Sequence, residues 1–590
     1  MGKSFPIFVP GSATERNYHN TMKKKSFIQR KFSAMLLTAV VSIAITVLLQ
    51  MSDIIVAGTM LGEKSLAAIN VITPVYSAVI FFANIIAVGV SILFENAVGA
   101  FEKEKMKNLY SEGLIFSVLI GLVIAVIVFL GKDFYFDFYD LSSEIRQLSE
   151  EYFMYYKYVF ILMPLFLYFS NMVYAEGDEL ICNLSYAANI VGNVGMSVLM
   201  CNIWGIRGIG FGSFFGTAIS LLVLLLHLFR KSNTLKFRFC INVKEIPEIT
   251  KFSFLDASAY LYFAIVSVCI NKFIILRFGE AYLPVFTVVF SVIELEIMLD
   301  GIGEAMKPIV SIYRGEKNAS GERKILNFSM KCALVMGICL SLFFFVAAPV
   351  LTKTAFGISD PTLYRLSVIA IRILSLRVVF TSILFAISSY YLISNHILLG
   401  SFVICLNTAV MPIVAGISFA LLFGFNGLWI GYALSPLLSL IVLFACILFR
   451  YGRDKIPFLF EKSDIRSFTF DLTLKEDSII ALRDKVEDIL TEEKISPKTK
   501  REIMLICEDF LLLVAERNKD REISAECSLL IHENVEWILR YDGELMDFSD
   551  SDLRITSFRS MFVSSLMEHE SDKDYLITTG YNRNVFRFKA

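Results

Sequence analysis

At 590 residues the chain is 56% hydrophobic and only 19% charged, with a mean hydropathy of +0.63. Those values set it among membrane proteins rather than soluble ones, with no sign of a nucleic-acid partner. A net charge of −1 adds no hint of an acidic or basic partner. The ten cysteines are scattered, mostly singly inside apolar runs, as at Cys201, Cys269, Cys339, Cys405 and Cys446. Without a CxxC or Cys/His spacing they read as reduced, packed thiols, neither a disulfide framework nor a metal site.

Residues 1–31 are polar and basic, with Arg16, Lys23, Lys24, Lys25, Arg30 and Lys31, and read as a cytoplasmic tail rather than a signal peptide. From residue 32 to 452, about twelve apolar runs are long enough to cross a bilayer as helices. They start near Ser33, Leu66, Leu114, Phe153, Leu180, Ile209, Phe254, Leu283, Ile325, Leu366, Ile397 and Leu428. Basic residues gather in the second loop (Lys103, Lys105, Lys107), the sixth (Arg230, Lys231) and the eighth (Arg314, Lys317, Arg323). The third loop is acidic instead. Cationic loops stay inside, so both termini are expected in the cytoplasm of a multi-pass plasma-membrane protein.

The membrane part repeats itself. Gly62-Glu63 returns 217 residues on at Gly279-Glu280, Gly99 at Gly315, Asn189 at Asn407, and Gly205 at Gly424. This spacing predicts two homologous six-helix halves in parallel orientation, 32–240 and 241–452, an arrangement that usually serves transport through a site between the halves.

Acids inside apolar spans need a reason. Asp53 sits near the outer end of the first span, where it could exchange a proton or bind a cation, or simply cap or pair locally. Asn271 takes the comparable place in the second half. Glu296, Asp300 and Glu304 recur at four-residue spacing, which on an α-helix makes one acidic stripe, with Lys307 one turn on and Glu294 off it. The stripe reads as a cation path or substrate wall; Arg372 and Arg377 could instead neutralise it, and Glu304 could pair with Lys307. Asn189 and Asn193 are polar groups inside helices and read as interhelical hydrogen bonds or cavity contacts.

After a linker at 453–464 the composition turns charged and amphipathic. Residues 465–590 are long enough for a small α/β domain. Strands are expected at 467–472, 525–531 and 537–541, helices at 478–493 and 497–516, and a closing strand within 577–588.

Two resemblances emerge from these residues. Ser52-Asp53-Ile54-Ile55-Val56-Ala57-Gly58 with Leu61-Gly62, Ala175-Glu176-Gly177-Asp178, and Gly303-Glu304-Ala305-Met306-Lys307-Pro308 together resemble the multidrug and toxic compound extrusion (MATE) family over about 420 residues. The family implies cation-coupled efflux of amphipathic, often cationic compounds, with Na+ or H+ as coupling ion and no cofactor. It places coupling at Asp53, and other branches carry an acid near Asp256. The order of the C-terminal elements resembles the ATP-binding domain of anti-sigma-factor kinases. Glu508, Asp542, Gly543 and Asn582 stand at that domain's nucleotide-site positions. Leu512 replaces the expected magnesium-binding asparagine, and no glycine-rich lid is visible between Asp550 and Ser571, so the domain reads as degenerate, regulatory or protein-binding, not as an active kinase. The rival readings are a flippase for a lipid-linked oligosaccharide, which would want more cations at membrane depth, and a membrane-anchored signalling protein acting through its C-terminal domain.

Overall fold

A computed structural model describes residues 26–99, 102–230, 236–239, 246–394, 396–452, 458, 465–518, 521–544, 570–576 and 579–589. The chain divides into two compact units. One comprises Val40–Gly303 and Lys331–Leu459; the other comprises Met1–Ala39, Glu304–Met330 and Phe460–Ala590.

The first unit is helical. In chain order the first half supplies α1 (Phe27–Gln50), α2 (Ser52–Leu61), α3 (Glu63–Gly99), α4 (Lys103–Tyr139), α5 (Ser143–Ala175), α6 (Glu179–Trp204) and α7 (Ile206–Leu225). The second half supplies α8 (Ile246–Phe278), α9 (Leu283–Glu294), α10 (Gly301–Gly315), α11 (Ala319–Val350), α12 (Pro361–Ile393), α13 (Ile397–Cys405) and α14 (Met411–Tyr451). Parts of α1, α10 and α11 belong to the second unit. Ten helical stretches among the described residues are long and apolar enough to cross a membrane. The last of them, Ile397–Tyr451, counts 55 residues because two helices run together through Gly424. Several helices begin well before their apolar run, because the groups that cap a helix are polar. Ser142 accepts from the Ile145 N–H, and Asp360, with Pro361 in the first turn, accepts from Thr362 and Leu363 at 2.8 Å.

The repeated glycines do one job. Gly62, Gly279, Gly205 and Gly424 have φ of 85°, 96°, 59° and 69°, and none has a neighbour within 4 Å of a would-be Cβ. Their requirement is backbone conformation, not space. The third pair differs, because Gly315 has no such φ.

At the bundle end that carries Gly62 and Gly279, the halves close on each other. Glu63 Oε1 accepts from the N–H groups of Ser359, at 2.5 Å, and Asp360, at 2.9 Å. Glu280 accepts from the Ser142 N–H at 2.8 Å. Beside them α2 crosses the 356–357 loop so closely that a Cβ on Gly58 would lie 2.1 Å from the Phe356 carbonyl oxygen. Deeper in, Asn70 on α3 donates to Asn271 on α8 at 2.8 Å, joining the two halves. At the far end of α7, the His227 ring lies between two carboxylates, Asp178 at 2.7 Å and Glu176 at 2.6 Å, which pins the α5–α6 turn.

In the second unit the C-terminal residues form one antiparallel five-stranded sheet: β1 (Arg466–Thr473), β2 (Ser524–Ile531), β3 (Asn534–Tyr541), β4 (Glu570–Leu576) and β5 (Tyr581–Lys589). The order is β1-β2-β3-β5-β4. Between β1 and β2 run α15 (Glu476–Glu492) and α16 (Pro497–Arg517). Their apolar stripes bury Ile479, Val486, Ile503, Ile506 and Phe510 against Cys527, Trp537, Leu539 and Phe586 on one sheet face. The expected closing strand is β5, and β4, which the sequence pattern does not predict, pairs with it as a hairpin turned at Thr579-Gly580, where Gly580 has φ 65°. The basic residues of the N-terminal tail before Ser26 and most of the stretch from Asp550 to Ser571 lie outside the described residues.

Two glycine substitutions separate conformation from space. Gly424→Ala should cost roughly 1–3 kcal/mol, the strain of a glycine-only backbone region. Gly357→Ala combines φ 64° with a contact of 2.1 Å to the Gly58 carbonyl oxygen, so roughly 1–3 kcal/mol of overpacking is added. Thermal unfolding of the purified variants in detergent should rank Gly357→Ala below Gly424→Ala; the reverse order would contradict the close crossing.

Candidate functional site

Asp53 stands in the first turn of α2, just after the break at Met51, and is 7% exposed. α5 and α7 bring their hydroxyls to it. Tyr152 donates to Asp53 Oδ2 at 2.7 Å, and Ser213 donates to the same oxygen. Behind them Asn193 on α6 donates to Ser213 at 3.1 Å and accepts from Ser52 and Ser197, each at 3.3 Å. Small residues let these helices approach: a Cβ on Gly212 would lie 2.1 Å from the Ser197 hydroxyl. Asp53 Oδ1 is buried and has no hydrogen-bond partner among the described residues. Both hydroxyl donors thus go to the same carboxylate oxygen.

Around this acid lies a tyrosine cluster. Tyr152 stacks on Tyr156 at 4.6 Å between ring centroids, and Tyr156 meets Tyr76 of α3 at 6.1 Å. Tyr76 and Tyr156 both lie within electrostatic range of Asp53 and of Glu294, and Tyr76 also feels Tyr260 on α8. Tyr76, Tyr260 and Glu294 are half-buried. The cluster therefore joins one acid from each half.

The acidic stripe does not survive in the structure. Residues Leu295–Asp300 tighten into a 3₁₀ turn between α9 and α10. At three residues per turn, four-residue spacing no longer keeps side chains on one face. Glu296 points into protein, 4% exposed, and takes a 3.1 Å bond from Arg377, which also donates to Ser435 at 2.7 Å and to the Tyr432 carbonyl at 3.3 Å. Asp300 is half-buried at the end of the turn. Glu304 is exposed and paired with Lys307 at 2.6 Å. Of the two arginines in that span, only Arg377 pairs with the stripe; Arg372 is exposed and lies over the Phe345 ring, 5.2 Å from its centroid. Glu294, which the α-helical pattern sets aside, is the acid of this segment within electrostatic range of Tyr76 and Tyr156. Its only sequence signal was charge in an apolar run.

The asparagines separate as well. Asn193 belongs to the Asp53 network. Asn189 instead joins α6 to α7 through Ser220 at 3.4 Å, and Asn271 serves the Asn70 contact between the halves. The side chain of Asp256 lies outside the described residues. In the C-terminal sheet, Asp542, Gly543 and Asn582 share the wall of a cavity of about 470 Å³, and Asn582 donates to the Gly543 carbonyl at 2.9 Å. Glu508 is not among its lining residues; it bonds Arg483 at 3.1 Å.

Because Glu296 and Arg377 are both buried, removing one leaves the other uncompensated, a loss of about 3–5 kcal/mol, whereas replacing both by apolar residues is often near neutral. Glu296→Ala should sharply lower the melting temperature, Glu296→Met with Arg377→Met should recover most of it, and Arg372→Met should change it little. A double variant as unstable as the single one would show that more than this pair holds the site.

Comparison with known proteins bears on the fold. The MatE family model matches residues 39–201. The probable multidrug resistance protein YoeA of Bacillus subtilis (strain 168) is 29% identical over 224 residues, 36% of this chain and 48% of that protein. The multidrug export protein MepA of Staphylococcus haemolyticus (strain JCSC1435) is 20% identical over 295 residues, 48% of this chain and 63% of that protein. The chain thus spans from about half to just under two thirds of the length of these relatives. Among solved structures, an inward-facing multidrug resistance MATE transporter of the MOP superfamily superposes with a TM-score of 0.64 at 19% identity, covering 75% of this chain and 98% of that one. An outward-facing MATE transporter gives 0.58 at 19% identity, covering 72% and 96%. The membrane part of this chain has the fold of the MATE multidrug transporters.

Proposed function

We propose that the chain is a secondary active exporter of amphipathic organic cations, working by antiport against H+ or Na+. The observation that carries this reading is the buried Asp53 of the first half, held by Tyr152 and Ser213 beside the Tyr152–Tyr156–Tyr76 cluster, with Glu294 of the second half within electrostatic range of Tyr76 and Tyr156. Acids and tyrosine faces in a partly dry cavity suit a flat or amphipathic cation. The named relatives are described as multidrug resistance and export proteins, which supports the same class of substrate.

The coupling ion acts at Asp53. Both hydroxyl donors go to Oδ2, so a proton on Oδ1 completes the carboxyl group and needs no further ligand; this favours H+ over Na+. Protonation removes the negative charge that Tyr76 and Tyr156 face, which weakens attraction for a cation in the same cavity. Proton and substrate then exclude one another, the requirement for antiport.

In this reading the membrane part has twelve spans. α1 with α2 forms the first, and the break at Gly424 divides the last long stretch into two. With basic loops inside, both termini are cytoplasmic and the end closed by Glu63, Glu280 and Gly58 is the outer one, so the state described is closed outward. The C-terminal domain is read as a degenerate relative of the anti-sigma-factor kinases with a regulatory role. Three of its four nucleotide-site positions share one cavity, while Glu508 is engaged by Arg483 and Leu512 offers no metal ligand.

Purified protein in proteoliposomes, given a cationic dye and either a pH or a sodium gradient, tests the proposal. A pH gradient should drive the dye uphill, and Asp53→Asn should abolish that coupling without loss of folded protein. Glu294→Gln should raise KM for the cation by about tenfold, the equivalent of roughly 1.4 kcal/mol, and leave a neutral amphiphile unaffected. Wild-type coupling in Asp53→Asn would remove it from the mechanism; driving by sodium alone would replace the proton.

A further inference from the structure

The second compact unit joins three separate stretches of chain, and the sheet face away from α15 and α16 shows why. That face carries Glu526 and Ser528 on β2, Arg540 on β3 and Arg583 on β5, with a small apolar patch of Leu530, Ile538 and Val585. A charged sheet face is ordinarily left to water. Here Glu526, Ser528 and Arg540 are 0% exposed, because the junction of α10 and α11 lies across them.

The contacts run along the whole junction. Tyr313 donates to Glu526 at 2.5 Å, and the Arg540 guanidinium stands 4.8 Å from the centre of the Tyr313 ring. Glu316 is gripped by Arg540 and by Arg583, the latter at 3.1 Å. Asn318, fully buried, donates to Ser528 at 2.9 Å, and the Ser320 N–H donates to Ser467 at 2.8 Å. Lys324 reaches Asp471, and Glu526 at 3.3 Å. Burial pushes the Glu526 carboxyl above its ordinary range, against the pull of Arg540 and Lys324.

The same domain also holds the start of α1. Lys31 pairs with Asp542 and donates to the Gly580 carbonyl, both at 2.6 Å, while Phe27 meets the Tyr581 ring edge-on at 5.7 Å. α1 opens the first half of the membrane bundle, and the α10–α11 junction belongs to the second. One small domain therefore grips one helix foot from each half.

We propose that the C-terminal domain is a detachable strap that, when docked, fixes the feet of α1 and of α10–α11 together and so restrains the movement of the two halves. The chemistry of the docking face suits release. An apolar face would stay buried, but ions returned to water regain their hydration, which roughly offsets the attraction they lose. Docking is therefore closely balanced, weakened by salt and by any partner or modification that neutralises the face. The inference rests on the exporter reading, since a strap matters only if the halves move.

The test uses full-length protein in proteoliposomes and a water-soluble carbodiimide, which joins a lysine to a touching carboxylate as an amide with loss of water. Lys31–Asp542 and Lys324–Asp471 should both be recovered as cross-linked peptides by mass spectrometry, and cross-linking should nearly stop transport. Lys31→Arg with Lys324→Arg keeps the charges but offers no amine, so its transport should survive the reagent. Without reagent, Asp471→Lys should speed transport about twofold to fivefold at low salt, the scale set by one exposed ion pair, and Lys324→Asp added to it should restore the wild-type rate. Failure to recover either cross-link, or cross-linked protein that transports normally, would overturn the strap while leaving the exporter intact. Uncross-linked wild type that moves no substrate would overturn the exporter reading, and the strap with it.

Discussion

Charge taken out of water must meet an opposite charge or a full set of hydrogen bonds, and this constraint orders the whole molecule. Glu296 and Arg377 satisfy it as a closed pair, with Ser435 and the Tyr432 carbonyl completing the guanidinium. Arg540 meets its opposite charges in Glu316 and Glu526, although its Nε has no hydrogen-bond partner among the described residues. Asp53 satisfies it only on one side, through Tyr152 and Ser213. The groups whose needs are met hold helices together; the half-met carboxylate is the one at which the proposed exporter would handle its ion.

Much of the architecture was legible in the chain because its signals are local. Apolar runs located most of the helix starts within several residues, but the helices expected near Leu114 and Phe153 begin much earlier, at Lys103 and Ser143, because their first turns are polar. The repeated glycines at 62, 279, 205 and 424 could be read because only glycine tolerates those backbone angles, so one residue type reports one conformation. The helices, the first strands and the closing strand of the C-terminal sheet followed from the sequence pattern, whereas β4, a charged stretch ahead of the Gly580 turn, did not.

The site was legible only in part. Asp53 stood out as a lone acid in an apolar run, and Asn193 proved to be its neighbour. The acidic series at 296, 300 and 304 misled because its spacing assumes 3.6 residues per turn, and the helix tightens over that stretch. No pattern of single residues announces such a local change of pitch. The docking of the sheet was equally hidden: Glu526 and Arg540 alternate along their strands as solvent-facing residues would, and only the three-dimensional pairing with Tyr313 and Glu316 shows them buried.

The tightened turn at Leu295–Asp300 has a mechanical meaning of its own. A 3₁₀ helix advances about 120° and 2 Å per residue, an α-helix about 100° and 1.5 Å. If its six residues relaxed to α geometry, the helix bearing Glu294 would unwind by about 120° relative to Gly301 and shorten by about 3 Å. The segment is a screw locked by one bolt: Glu296, within the turn, is held by Arg377, so any such rotation would have to break that buried pair as well as re-pair the backbone.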